Sequence, residues 1–158
     1  SYVFVFSKTH SIHDTVNENI ESEKARSLFA KLTYEKYAMR AKNLTMQLKA
    51  IISKHKSNGY QVVGYGAAAK GNTLLNFGQI ELDFVIDDNP LKNNLYTPGM
   101  SIPISLINKL DSIDQHTPIL FVPLAWNFFE EIKSKIKTYR FNDNDLFVRY
   151  FPSIELFS

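Results

Sequence analysis

The apolar positions change their spacing twice along the chain, near Glu21 and again at Gly59. Tyr2–Phe6 (YVFVF) is β-branched and aromatic throughout, which predicts a strand. Ser7–Asn19 (SKTHSIHDTVNEN) is polar and predicts a loop. From Glu21 to Ser57, Leu28, Leu32, Ala38, Ala41, Leu44, Leu48, Ile51 and Ile52 recur three or four residues apart, the apolar stripe of a helix. A helix this long is unusual in a small domain, so a break is expected near Thr33. Asn58-Gly59 predicts a left-handed stop.

Beyond Gly59 short apolar runs and helical stretches take turns. Strands are predicted at Gln61–Val63, Leu82–Ile86, Pro118–Val122 and Asp145–Tyr150. Helices are predicted at Lys70–Phe77, Ser105–Leu110 and Trp126–Tyr139. That alternation implies crossover units and a parallel sheet covered on both faces. The expected fold is α/β: a Rossmann-like parallel sheet flanked by helices, preceded by a long helical arm. The expected division places the N-terminal strand and arm in residues 1–58 and the sheet in residues 59–158. There is no internal repeat and no low-complexity segment.

Composition narrows the function classes. The 158 residues carry 18 basic against 16 acidic side chains, a net charge of +2. Such balance argues against nucleic acid or an anionic membrane as the main partner. The aromatics, 13% of residues, fall mostly in predicted core segments, away from any basic cluster. With no cysteine, disulfides, thiolate metal sites and cysteine nucleophiles are excluded. No apolar run approaches the ~20 residues that span a bilayer, and no basic region precedes the apolar start. A cytoplasmic location is expected. His10 and His13 are three apart, but only Asp14 stands near them, so no metal site is expected. His55 belongs to the basic end of the long helix, and no Ser/His/Asp order is persuasive.

The chemistry concentrates at residues 60–76, YQVVGYGAAAKGNTLLN. Gly64-Tyr65-Gly66-Ala67-Ala68-Ala69 fits G-x-G-x-x-A between a strand and a helix. On that pattern Gly64 permits the sharp turn, Gly66 lets a phosphate approach, and Ala69 allows close helix–strand packing. The free amides at the helix start favour an anion. Lys70, in the first helical turn, opposes the dipole unless it too meets an anion. Asp87 follows Gly66 by about the 20 positions at which an acid grips a ribose hydroxyl. The pattern alone leaves a second reading open. The small residues then serve packing only, Lys70 is solvated, and Asp88-Asn89-Pro90 is a plain turn.

GYGAAAKGNTLLN, FVIDDNPLKNNLYTPGMSIPI and PLAWNFFEEI, in that order, resemble the C-terminal domain of sugar-nucleotide C-methyltransferases. The resemblance covers residues 60–150 well and the arm only in outline. It implies an S-adenosylmethionine-dependent enzyme that methylates a ring carbon of a nucleotide-linked keto-deoxysugar. The proton beside a ketone is acidic because its anion is an enolate, and that carbon then takes the methyl group. The resemblance also implies that a separate upstream methyltransferase domain binds S-adenosylmethionine, and that this chain holds the nucleotide-diphosphate sugar. The family's proposed Tyr-x-Glu-His base element does not occur here. No catalytic residue is therefore expected in this chain, which alone should be inactive.

On this resemblance Gly64, Gly66, Ala67, Ala68 and Ala69 form the diphosphate turn and Lys70 supplies charge. Asn72 and Thr73 add polar contacts at the helix start. Asp87, Asn89 and Lys92 stand at the carboxyl end of the second strand, where such sheets place ligands. Tyr96 and Pro98 follow in a loop that covers base or sugar. Pro123, Trp126 and Asn127 follow the third strand on the same edge; for Trp126 a core or lid role is the stronger reading. Two other functions fit the bare pattern: a stand-alone NAD-type dinucleotide module, and a non-catalytic interaction domain that docks through the arm.

Overall fold

The computed structural model describes Phe6, Lys8 and residues 12–158. Of the strand expected at Tyr2–Phe6 only Phe6 is described, outside any element, and His10 also lies outside the described residues. The chain divides into two compact units, Ser1–Arg40 and Ala41–Ser158.

The first unit contains α1 (Asp14–Ala25) and the start of α2 (Lys31–Ser57). Helix therefore begins inside the stretch read as loop. The His13 ring accepts a hydrogen bond from the Thr15 amide, and Asp14 complements the dipole in the first turn. The break falls at Arg26–Ala30, earlier than Thr33, with Ser27 in the left-handed region at φ 58°. Thr33 Oγ1 donates to the Ser27 carbonyl at 2.7 Å and so fastens the bend from the far side.

The second unit is a six-stranded sheet in the order β3-β2-β1-β4-β5-β6. Its strands are β1 (Gln61–Tyr65), β2 (Phe84–Ile86), β3 (Ile104–Ser105), β4 (Ile119–Pro123), β5 (Leu146–Arg149) and β6 (Glu155–Phe157). All neighbours are parallel except β6, which runs antiparallel to β5. Alternating side chains send Val62, Val85, Leu120, Val122 and Val148 to one face, with Leu48 and Ile52 of α2 and Leu75 of α3 (Ala69–Gly78). Val63, Tyr65, Ile86, Phe121 and Phe147 go to the other, with Phe129, Ile132 and Ile136 of α4 (Phe129–Tyr139). Burial on both faces suits a parallel sheet, and each fully buried Val, Leu, Ile or Phe contributes about 1.5–3 kcal/mol. Gly59 ends α2 at φ 85°, as the Asn-Gly pair predicts.

Two strands escape the sequence pattern. β3 falls at the start of the predicted helix Ser105–Leu110, where a 3-10 turn, Ile107–Ser112, follows it. β6 lies beyond the last predicted strand. Each is too short to display a period-2 signal.

At the amino ends of the strands, acids act as fasteners. Asp83 accepts from the Val62 amide at 2.7 Å and from Lys56 at 2.9 Å. Asp145 accepts from the Ile119 amide at 2.8 Å and pairs with Arg140 at 2.9 Å. This leaves the carboxyl ends for a site.

Candidate functional site

β1 leads through α3 toward β2, whereas β4 leads through α4 toward β5. The carboxyl ends of β1 and β4 therefore flank the switch point at which open α/β sheets bind ligands. The turn there is made by Gly66, at φ 94°, rather than by Gly64. Gly64 lies inside β1, where a Cβ would approach Leu82 Cδ1 to 2.8 Å, so its smallness serves packing. Ala69 is exposed, and the close helix–strand approach expected of it is made by Gly71. A Cβ at Gly71 would lie 2.6 Å from Leu124 Cβ.

The corner is latched by the end of β2. Asp87 is only 8% exposed. Its Oδ2 accepts from the Ala67 amide at 2.8 Å and from Lys92 Nζ at 2.9 Å, and its Oδ1 from the Asn89 amide at 3.0 Å. Lys92 also donates to the Ala67 carbonyl at 2.9 Å. Asn89 caps the turn Pro90–Lys92 by accepting from the Leu91 amide. The folded chain thus brings Ala67, Asp87, Asn89 and Lys92 together as a closed hydrogen-bonded unit, and the Gly66 amide beside it donates to the Ile86 carbonyl.

Beyond that latch α3 begins without a side-chain cap. Among the described residues the amides of Ala69, Lys70 and Gly71 meet no acceptor, as the first turn of a helix leaves them. Lys70 has no carboxylate partner among the described residues; its Nζ stands 5.9 Å from the Trp126 ring centroid. Trp126 in turn packs on Phe151 at 4.5 Å between ring centroids. Ala67, Ala68, Ala69 and Asn72 line a cavity of about 290 Å³ with Thr97 and Pro98. The Asn72 side chain accepts from Asn76. Asn76 also donates to the Pro98 carbonyl at 3.0 Å, which ties the loop to the helix. Thr73 turns back to the Ala69 carbonyl at 3.0 Å. Pro123 ends β4 opposite Tyr65. Tyr96, 65% exposed, and Asn127 on the turn Trp126–Phe128 make no side-chain hydrogen bond among the described residues and do not line this cavity.

A second cavity, of about 270 Å³, opens at the switch point itself on the α4 face. Tyr65 donates its hydroxyl to Asp88 Oδ1 at 2.8 Å, and Lys135 Nζ lies 2.7 Å from the same oxygen. Burial, helped by Asp88 and opposed by Lys135, pushes the Tyr65 phenol above its ordinary value. The hydrogen bond to Asp88 chiefly raises Lys135. Burial alone would raise the Asp88 carboxyl, but Lys135 and Tyr65 together hold it below its ordinary value. Sequence reasoning read Asp88 only as a turn former and passed over Tyr65, Phe128, Glu131 and Lys135. One signal was present: Phe128, Glu131, Ile132 and Lys135 are spaced as a single helix face, all lining this cavity. Among the described residues no group of three metal-ligating side chains is arranged to hold an ion, and no described helix is long and apolar enough to cross a membrane.

The family described as the C-methyltransferase C-terminal domain matches residues 2–152. The C-methyltransferase NovU of Streptomyces niveus is 29% identical over 126 residues, covering 78% of this chain and 29% of that protein. The chain therefore spans less than a third of the length of that curated relative. With nearly its whole length matched, the chain belongs to the C-methyltransferase C-terminal domain family.

Proposed function

We propose that this chain is the substrate-holding part of an S-adenosylmethionine-dependent C-methyltransferase, and that its sheet binds the diphosphate of a nucleotide-linked keto-deoxysugar. The observation that carries this reading is the uncapped start of α3, where the amides of Ala69, Lys70 and Gly71 meet no acceptor and the first turn carries an ammonium with no carboxylate partner among the described residues. An ammonium in that turn opposes the helix dipole, and a diphosphate between them removes the conflict. Binding energy gained there, remote from the reacting carbon, positions the sugar for the chemistry.

The corner does not fit S-adenosylmethionine. Asp87, in the position that would grip a ribose, spends both oxygens on the fold, and Lys70 disfavours a sulfonium cation nearby. The methyl donor is accordingly assigned to a separate domain of the whole enzyme, and the fragment alone is inactive. The engaged Asp87 counts equally against an NAD module. Titration calorimetry with a thymidine-diphosphate sugar, NAD and S-adenosylmethionine tests the assignment. Saturable binding of the nucleotide sugar alone is expected. Tight NAD binding with no response to the sugar nucleotide would remove the proposal, and binding of none would favour a docking role.

A further inference from the structure

The diphosphate reading leaves the switch-point cavity unused, and its chemistry differs from that of the α3 start. Lys92 neutralises Asp87 in place. The remaining charged groups on the wall are Asp88 and Glu131 against Lys135, an excess of negative charge that repels phosphate. The same groups suit hydroxyls. Asp88 Oδ1 is taken by Tyr65 and Lys135, so Oδ2 is left as an acceptor. Glu131 makes no hydrogen bond or ion pair among the described residues. Lys135 retains further N–H donors. The rest of the wall is apolar: the Phe128 ring, 54% exposed, with Ala125 and Ile132. Acceptors and a donor on one side and a hydrophobic wall on the other match a ring with hydroxyls and a C–H face. Gly66 lines this cavity and Ala67 the neighbouring one, so a ring here and a phosphate at α3 lie on either side of one turn.

We infer that the cavity bounded by Tyr65, Asp88, Phe128, Glu131 and Lys135 is a sugar-ring subsite that grips hydroxyl groups, distinct from the diphosphate contact at α3. This rests on the nucleotide-sugar reading and gives the ring its place. Two rings share that chemistry, the pentose of the nucleotide and the hexose it carries.

Calorimetry on the full chain with inorganic pyrophosphate, uridine diphosphate, thymidine diphosphate and thymidine-diphosphate glucose separates the cases. Asp88 and Phe128 are exposed, so Asp88→Ala and Phe128→Ala should melt like the parent. Each is expected to weaken a sugar-bearing probe about tenfold, the scale of one charged hydrogen bond or one stacking face, while pyrophosphate changes less than about twofold. A penalty already present with uridine or thymidine diphosphate places the pentose in the cavity; one confined to the glucose conjugate places the hexose there. Unchanged affinity for every sugar-bearing probe in both variants overturns the subsite and leaves the α3 contact standing. If neither pyrophosphate nor any nucleotide binds the unmodified chain, both readings fall.

Discussion

At the scale of single residues the proposed diphosphate site turns on Lys70. Its ammonium is held over Trp126 at a spacing where a cation–π contact gives about 0.5–1 kcal/mol. Lys70→Ala is expected to weaken nucleotide-sugar binding by about 1–3 kcal/mol, the range for a charged hydrogen bond, with little change in thermal midpoint. An unchanged dissociation constant in calorimetry would refute the phosphate role. Gly71 makes the opposite kind of case. Alanine is the better helix former by about 1 kcal/mol, yet its Cβ would meet Leu124 Cβ at 2.6 Å. Overpacking wins, so Gly71→Ala should lower stability by about 1–3 kcal/mol in urea unfolding. The glycine turn and Lys70 were readable in the sequence because their geometry is local. The exchange of roles from Gly64 to Gly66 and from Ala69 to Gly71 was not, since contact with Leu82 and Leu124 decides it. The Tyr65–Asp88–Lys135 triad was hidden for the same reason: its members come from three separated segments.

Among the elements, β1, α3, β4 and α4 could be read because each is long enough to show its period. β3 and β6 could not, being pairings supplied by neighbours rather than by their own sequences. The start of α1 was missed because its capping side chain is His13, outside the usual Ser, Thr, Asp and Asn set. The clamp that joins β4 to β5 gives a pH test. Burial pushes the Asp145 carboxyl above its ordinary value, against the Ile119 amide and Arg140, which favour its charge. A raised value means that the folded chain holds this proton more tightly than the unfolded chain. The contribution of Asp145 to stability is therefore fully present below the unfolded value of about 3.9 and is lost as pH rises through the raised folded value. In urea unfolding, the parent chain should lose stability relative to Asp145→Asn as pH rises above about 4. A gap that widens in the parent's favour over that rise would contradict the shift.

For the molecule as a whole, the buried residues of α2, namely Thr45, Leu48, Ile52 and His55, all lie beyond Arg40 and belong to the second unit. A chain beginning at Ala41 is therefore expected to unfold cooperatively and to bind nucleotide sugar with undiminished affinity. Loss of a cooperative transition in calorimetric melting would show that the first unit supports the sheet. The fold class was readable from alternation alone, whereas the proposed substrate rests on the family resemblance and on the chemistry of one sheet edge. That edge can be watched amide by amide in a ¹⁵N-correlated NMR titration of the full chain with thymidine-diphosphate glucose. The largest saturable shifts are expected at the backbone amides of Ala69, Lys70 and Gly71, and pyrophosphate should reproduce them. Saturable binding that leaves those amides unmoved would contradict a diphosphate at the start of α3.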